Sequence, residues 1–385
     1  MEKIFYIGGE FPDKDASALR IIANAKALRE YGYDVILIGQ SKDIEGNILR
    51  IENFEGFITY LLPYPSTNSE WAKDVFCVAQ YTNIIKMHSN VVAIICYNFH
   101  SIALNKLIKF GKKNRIVLIA DCTEWHTVSH LDGIKKVIKK MDIDFSIRVI
   151  QFKTNGNIVI SKYFEKFYHG RKNLVIPPLV DKKEVKWEKE YRKIKRITRF
   201  VYAGRIGIEK DRISDCIYAF HKLRTIEYIV DILGISKKDY LEKYPNQYNM
   251  IKDLEGRIHF HGMVSHKVAL EFVKRANFSL LIREHNRKND SGFPTKFVES
   301  ITCGTPVIAT EFSDIKDYIN QYGFGLLIDN LSNLELTFRQ AIEMPESKWN
   351  VMQKNCENNI VFDYRVYKNI LGNFITTLVR SKIDD

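Results

Sequence analysis

Ser291-Gly292-Phe293-Pro294-Thr295-Lys296-Phe297-Val298-Glu299-Ser300-Ile301-Thr302-Cys303-Gly304-Thr305-Pro306-Val307-Ile308 reads as a turn, a helix, a second turn and the start of a strand. Pro294 suits a helix start, where its missing N–H costs nothing. Gly304 supplies the left-handed stop, and Pro306 prevents the helix from continuing. Glu299 follows Lys296 by three residues, so the two share one helix face. They serve there either to bind a ligand or simply to pair with each other. A helix delivered straight into an apolar strand is part of a βα repeat, and that rhythm sets the fold class.

The same rhythm extends in both directions. Behind this stretch, Arg199–Ala203, Tyr228–Leu233, Arg257–His261 and Phe278–Arg283 read as strands; ahead of it, Pro306–Thr310 and Gly325–Ile328 do. In the first half, Lys3–Ile7, Asp34–Ile38, Val92–Tyr97, Arg115–Ala120 and Asn157–Ser161 are strand candidates. A helix over Ala16–Tyr31 separates the first two, and Gly32 stops it. Strands alternating with helices give the class α/β, two doubly wound parallel sheets. The expected organisation is an N-terminal domain over 1–180, a charged linker over 181–197, a C-terminal domain over 198–360 and a tail over 361–385. That amphipathic tail is expected to cap either domain or to reach back to the first.

Composition limits the alternatives. The 385 residues are 45% hydrophobic, enough for two cores, and Gly and Pro number only 20 and 9. The longest apolar run, about Val91–Tyr97, is far short of the roughly 20 residues a spanning helix needs. The N-terminus enters a strand pattern directly, without signal-peptide character. Six scattered cysteines form no CxxC pair, which predicts a reduced, cytoplasmic protein without structural zinc. A formal charge of +12 favours an anionic partner or serves solubility alone. Nucleic acid is disfavoured, because the basic residues come without an aromatic stacking pattern.

A second stretch, Val201-Tyr202-Ala203-Gly204-Arg205-Ile206-Gly207-Ile208-Glu209-Lys210-Asp211, ends a strand in Gly and follows it with Arg and Lys. Glycine lets backbone approach a phosphate; Arg forks onto its oxygens and Lys acts as a point charge. Taken alone, such a turn is as readily a solvated surface. Phe260-His261-Gly262-Met263-Val264, and Asn157–Lys162 followed by Val175-Ile176-Pro177-Pro178-Leu179-Val180-Asp181, complete an ordered set with the two blocks.

That set resembles the family-4, retaining-type glycosyltransferases of the GT-B fold, along nearly the whole chain. The resemblance implies two Rossmann-like domains facing across a donor cleft. It assigns Arg205 and Lys210 to the donor diphosphate and Glu299 to the ribose. It places Gly204, Gly234, Gly262, Ser291, Gly292, Phe293, Pro294, Thr295 and Lys296 along the donor. The family's E-x7-E motif expects an acid at position 291, where this chain has Ser291; Glu284, which precedes a loop read over His285–Asp290, is a candidate substitute. In the first domain Gly8 and Gly9, read as a turn after the first strand, and Glu124 and His126 are expected on the acceptor or sugar side. His126 equally suits a solvent-edge histidine packed on Trp125, and His100 is a weaker candidate.

The expected activity is transfer of a sugar from a nucleotide diphosphate donor, UDP by default, to a glycan or lipid-linked acceptor in cell-surface polysaccharide synthesis. Retention and independence from metal or other cofactor are part of that expectation. The alternatives are a nucleotide-sugar epimerase of the same fold and a non-catalytic partner subunit. Finally, Gly133–Met141 places Lys135, Lys136, Lys139 and Lys140 on one helix face and Ile134, Val137, Ile138 and Met141 on the other. This suits either an ordinary surface helix or contact with an anionic membrane, hence a cytoplasmic protein with an expected peripheral site on the inner membrane face.

Overall fold

Ile4, Phe5, Tyr6 and Ile7 are all fully buried, and they alternate between two separate cores. Ile4 and Tyr6 join one, Phe5 and Ile7 the other. Val35 and Leu37 repeat the pattern against Ile36 and Ile38, as do Ala93 and Ile95 against Ile94 and Cys96. Strand side chains point to opposite faces with period two, so a sheet covered on both sides needs apolar residues at every position. The computed structural model describes residues 1–11, 16–44, 48–128, 133–188, 197–204 and 211–383. The chain divides into two units, one formed by Met1–Asp181, Ser291–Phe293 and Asp363–Asp385, the other by Lys182–Asp290 and Pro294–Phe362.

The first unit carries β1 (Lys3–Glu10), α1 (Ala16–Tyr31), β2 (Asp34–Ser41), β3 (Arg50–Phe54), β4 (Phe57–Pro63), α2 (Asn68–Phe76) and α3 (Ala79–Lys86). There follow β5 (Val91–Tyr97), α4 (Ser101–Lys113), β6 (Val117–Cys122), α5 (Gly133–Phe145), β7 (Gly156–Val159), α6 (Lys162–Phe167) and β8 (Asn173–Val175). Its sheet runs β3-β4-β2-β1-β5-β6-β7-β8, parallel except for the β3–β4 hairpin. The chain leaves β1 toward β2 and returns to β5 on the other side, so β1 and β5 flank the switch point.

The second unit begins with β9 (Thr198–Ala203), α7 (Ile213–Lys222), β10 (Tyr228–Leu233), α8 (Lys237–Lys243), α9 (Tyr248–Asp253), β11 (Ile258–Phe260) and α10 (His266–Arg275). It continues through β12 (Phe278–Leu281), α11 (Arg287–Ser291, its last residue assigned to the first unit), α12 (Thr295–Thr302), β13 (Val307–Thr310), α13 (Ile315–Tyr322), β14 (Gly325–Ile328), α14 (Leu334–Ile342) and α15 (Glu346–Asn358). Its six strands are all parallel in the order β11-β10-β9-β12-β13-β14, with the switch point between β9 and β12. Phe200, Phe220 and Phe338 pack at its centre, the last two stacked with ring centroids 4.3 Å apart. The terminal helix, α16 (Tyr364–Ile383), belongs to the first unit and buries Leu371 and Ile375 beside α1. Gly372 permits that approach, because a Cβ there would run into the Tyr31 ring.

Two sequence readings need revision. Gly8 and Gly9 lie inside β1, not after it, and the register with β2 breaks between Ile7 and Glu10. Their φ angles of 121° and 78° are open to glycine, so the strand continues through an irregularity that other residues resist. The stretch from His285 to Asp290, read as a loop, holds most of the short helix α11.

Candidate active site

In the second unit the switch point between β9 and β12 gathers the chemistry. β9 ends at Ala203, and Gly204 follows with φ 147°. A Cβ on Gly204 would run into the end of the Lys296 side chain and displace it, and the positive φ favours glycine. Lys296 lies in the first turn of α12, and its ammonium reaches Asp211 at 3.2 Å. Arg283, just past β12, bonds the other oxygen of Asp211 at 2.7 Å, and the Tyr202 hydroxyl donates to Asp211 at 2.7 Å. Asp211 also forms an antiparallel bridge with Arg283.

The Asp211 carboxylate is nearly enclosed, its side chain 3% exposed. Burial pushes its pKa up, but Lys296, Arg283 and the Tyr202 hydroxyl outweigh that and hold it well below the usual carboxylate range. Burial pushes the Lys296 ammonium down, and the nearby Arg283 adds to this while Asp211 opposes it. The cluster therefore brings two cations and one anion beside the Gly204 turn, a net positive charge where a phosphate would lie outside the strand ends. Arg205 and Lys210, the two cations assigned to the diphosphate, lie outside the described residues.

Glu299 stands one turn along α12 from Lys296, and its carboxylate accepts from His266 Nε2 at 2.8 Å. That bond raises the His266 pKa above its ordinary value, against the opposing effect of burial. The bond engages one of the two carboxylate oxygens, Oε1. Gly234 and Gly262 meet across the neighbouring loops: the Gly234 N–H donates to the Gly262 carbonyl at 2.7 Å, with φ of 97° and 64°. Glu284 is exposed and bonds Arg212 at 2.9 Å.

Ser291, Gly292 and Phe293 belong to the first unit. Ser291 is fully buried there: its hydroxyl accepts from the Trp125 N–H at 2.9 Å, and its carbonyl accepts from the Ser161 hydroxyl at 2.6 Å. Phe293 is also buried, whereas Pro294 precedes α12 in extended conformation and Thr295 is its first residue.

A second candidate region lies at the carboxyl ends of β5 and β6 in the first unit. A cavity of about 320 Å³ is lined there by residues including Asn98, Glu124, His126, Lys139 and Asp142. That volume falls at the lower end of what small-molecule pockets occupy. Asn98 holds the unusual φ of 44° and fixes the facing loop, donating to the Thr123 hydroxyl at 2.6 Å and accepting from the Thr123 N–H at 3.1 Å. The carboxylate of Asp142 is bound by His100 at 2.5 Å and by both the N–H and hydroxyl of Ser101. Burial raises the pKa of Asp142, but these bonds from His100 and Ser101 prevail and keep it below the ordinary value. Glu124 and His126 thus come together in one pocket; Gly8 and Gly9 do not line it.

Sequence reading missed Asp211, Arg283 and His266 in the second unit, and Asn98, Lys139 and Asp142 as pocket groups. Asp211 closes the quoted Gly204–Asp211 block, so a buried acid between cations was visible as a pattern. The partners Arg283 and His266 come from strand and helix ends far along the chain, and only the fold brings them in.

Residues 184–359 match the family Glycosyl transferases group 1. No curated protein matches the chain by sequence. Among solved structures, sucrose-phosphate synthase from Thermosynechococcus elongatus is similar with a TM-score of 0.72 and 14% identity, over 99% of this chain and 100% of that one. The catalytic domain of starch synthase IV from Arabidopsis thaliana, bound to ADP and acarbose, gives 0.73 at 10% identity, over 99% of both chains. The Anabaena protein HepE, in complex with UDP and glucose, gives 0.64 at 14% identity, over 99% of this chain and 100% of that one. Likeness at such identities carries the architecture, and the family match carries the activity class. The chain is a glycosyltransferase of the GT-B fold, with a glycosyl transferases group 1 domain at residues 184–359.

Proposed function

We propose that the chain transfers a sugar from a nucleoside diphosphate donor, UDP-linked, to a glycan or lipid-linked acceptor, with retention of configuration and without a metal ion. The observation that carries this reading is the Gly204 turn at the β9–β12 switch point, set against Lys296 and within the family-matched stretch. Two further supports are nucleotides in similar structures, UDP in one and ADP in another.

On this reading Arg205 and Lys210 bind the departing diphosphate, and Glu299 accepts hydrogen bonds from the ribose. Fixed cations at a departing diphosphate stabilise the transition state more than the ground state, which is what raises kcat. Two cations at that position make a metal clamp unnecessary. The pocket at the ends of β5 and β6 holds the acceptor, with Glu124 and His126 as hydroxyl-binding groups. A role in cell-surface polysaccharide synthesis, at the cytoplasmic face of a membrane, fits a lipid-linked acceptor.

Thermal unfolding with a panel of nucleotides and nucleotide sugars tests the donor assignment. UDP at a hundredfold excess over its Kd stabilises the chain by about 2.7 kcal/mol. A panel in which no nucleoside diphosphate raises stability removes the donor assignment.

A further inference from the structure

α5 buries none of its residues. Ile134, Val137, Ile138, Met141 and Phe145 recur at three-to-four spacing and form one exposed apolar ridge, with Ile134 76% and Met141 66% exposed. A groove of about 720 Å³ runs along it, lined by Val137, Met141, Phe145 and Val149, by the cations Lys136, Lys140 and Arg148, and by Asp144. Lys135 is exposed as well.

Of the acids on this helix, Asp142 faces the pocket at the ends of β5 and β6, while Asp144 stands on the groove wall 3.9 Å from Arg148. Asp142 is held by His100 and Ser101, and Asp144 accepts from the Trp125 indole N–H at 3.1 Å. Among the described residues the charges around the ridge are mostly basic, with Asp144 beside Arg148. Lys139 departs from the arrangement read in the sequence: it is half-buried, lines the pocket at the ends of β5 and β6, and its pKa is lowered by burial. The basic face is therefore three exposed lysines with Arg148, and the fourth lysine points elsewhere.

An apolar ridge on which cations outnumber acids among the described residues is complementary to a lipid bilayer with anionic headgroups, where apolar side chains enter the acyl boundary and lysines stay at the phosphates. With 13 residues, α5 is too short to span and fits only the plane of the interface. We propose that α5 docks the first unit on an anionic bilayer by inserting this ridge. The pocket shares α5 as a wall, so docking holds its mouth beside the membrane. Resting on the glycosyltransferase reading, this selects a lipid-linked acceptor over a soluble glycan.

Co-sedimentation with vesicles of phosphatidylcholine and phosphatidylglycerol, against phosphatidylcholine alone, is the test. The full chain binds the anionic vesicles and is released as salt rises. Ile138→Glu with Met141→Glu lowers vesicle affinity at least about tenfold, since two charges then face the acyl boundary. Lys136→Gln with Lys140→Gln weakens it too, whereas Lys139→Gln leaves it intact. Equal binding to neutral vesicles, or no binding, overturns the proposal. So does a ridge that instead joins two copies of the chain, seen as a dimer in gel filtration that Ile138→Glu dissolves. Loss in Lys139→Gln equal to that in the Lys136, Lys140 double variant overturns the placement of the basic face. UDP titration of the same variants separates the two claims: vesicle binding without UDP binding defeats the donor reading alone. Label transferred from a UDP-sugar into the organic extract of membranes, lost in the ridge variant while UDP binding persists, supports the lipid-linked acceptor; label only in the aqueous phase refutes it.

Discussion

Asp211→Asn is the perturbation whose cost the structure states most clearly. The carboxylate sits 2.7 Å from Arg283 and 3.2 Å from Lys296 with 3% of its side chain exposed. Replacing it by a neutral amide leaves both cations beside each other without their anion. Breaking a buried pair by removing one partner costs about 3–5 kcal/mol, because the charge left behind stays desolvated. For a unit of this size that lowers Tm by about 6–20 °C. Native-state hydrogen exchange of β9 and β10 amides reads the loss within the second unit, and thermal unfolding reads it overall. The pH dependence gives an independent check. The folded pKa of Asp211 is depressed, so its contribution is complete above the unfolded value of about 3.9 and is lost as pH falls through the folded pKa. The gap between wild type and variant is therefore full at neutral pH and closes in acid, where wild-type Asp211 is itself protonated. A variant within about 0.5 kcal/mol of wild type at neutral pH refutes the claim that the anion organises this cluster.

Three further outcomes are expected. Arg205→Ala and Lys210→Ala each lower kcat at least about tenfold with smaller effects on donor KM, measured in steady-state turnover; a change confined to KM contradicts a transition-state role. His266 has a raised pKa through Glu299, so its pairing is complete below its unfolded pKa and is lost as pH rises through the folded one. UDP affinity by calorimetry accordingly strengthens as pH rises and the carboxylate is released to the ribose; His266→Gln flattens that dependence, and an unchanged profile rules the coupling out. Ser291→Ala removes the acceptor of the Trp125 N–H and destabilises the first unit by about 1 kcal/mol, measured by urea unfolding, whereas no loss means that bond carries no net weight.

Central strands were legible because burial on both faces leaves continuous apolar runs. Tyr228–Leu233 and Gly325–Ile328 match β10 and β14 residue for residue, and Lys3–Ile7 lies within β1. The β3–β4 hairpin was missed. Arg50–Phe54 is an edge strand with an exposed face, and its turn places Glu55 at φ 52° without the Asn or Asp that usually marks such a turn. β8 is three residues long, too short for periodicity to register. At the site, Gly204 and Glu299 were visible as local patterns. The grouping of Asp211 with Arg283 and Lys296 was not, because it depends on which strands become neighbours at the switch point. Ser291 shows the same limit: sequence marks a departure from an expected acid, but its burial against Trp125 and Ser161 is a long-range property.

The most direct test of the central claim is product analysis with purified chain and UDP-sugars, alone and with membrane lipid extract, alongside the Arg205→Ala, Lys210→Ala double variant. The account predicts UDP release coupled to a glycosylated acceptor by wild type, and loss of both in the double variant. Formation of an isomeric UDP-sugar without an acceptor, or full transfer by the double variant, contradicts it.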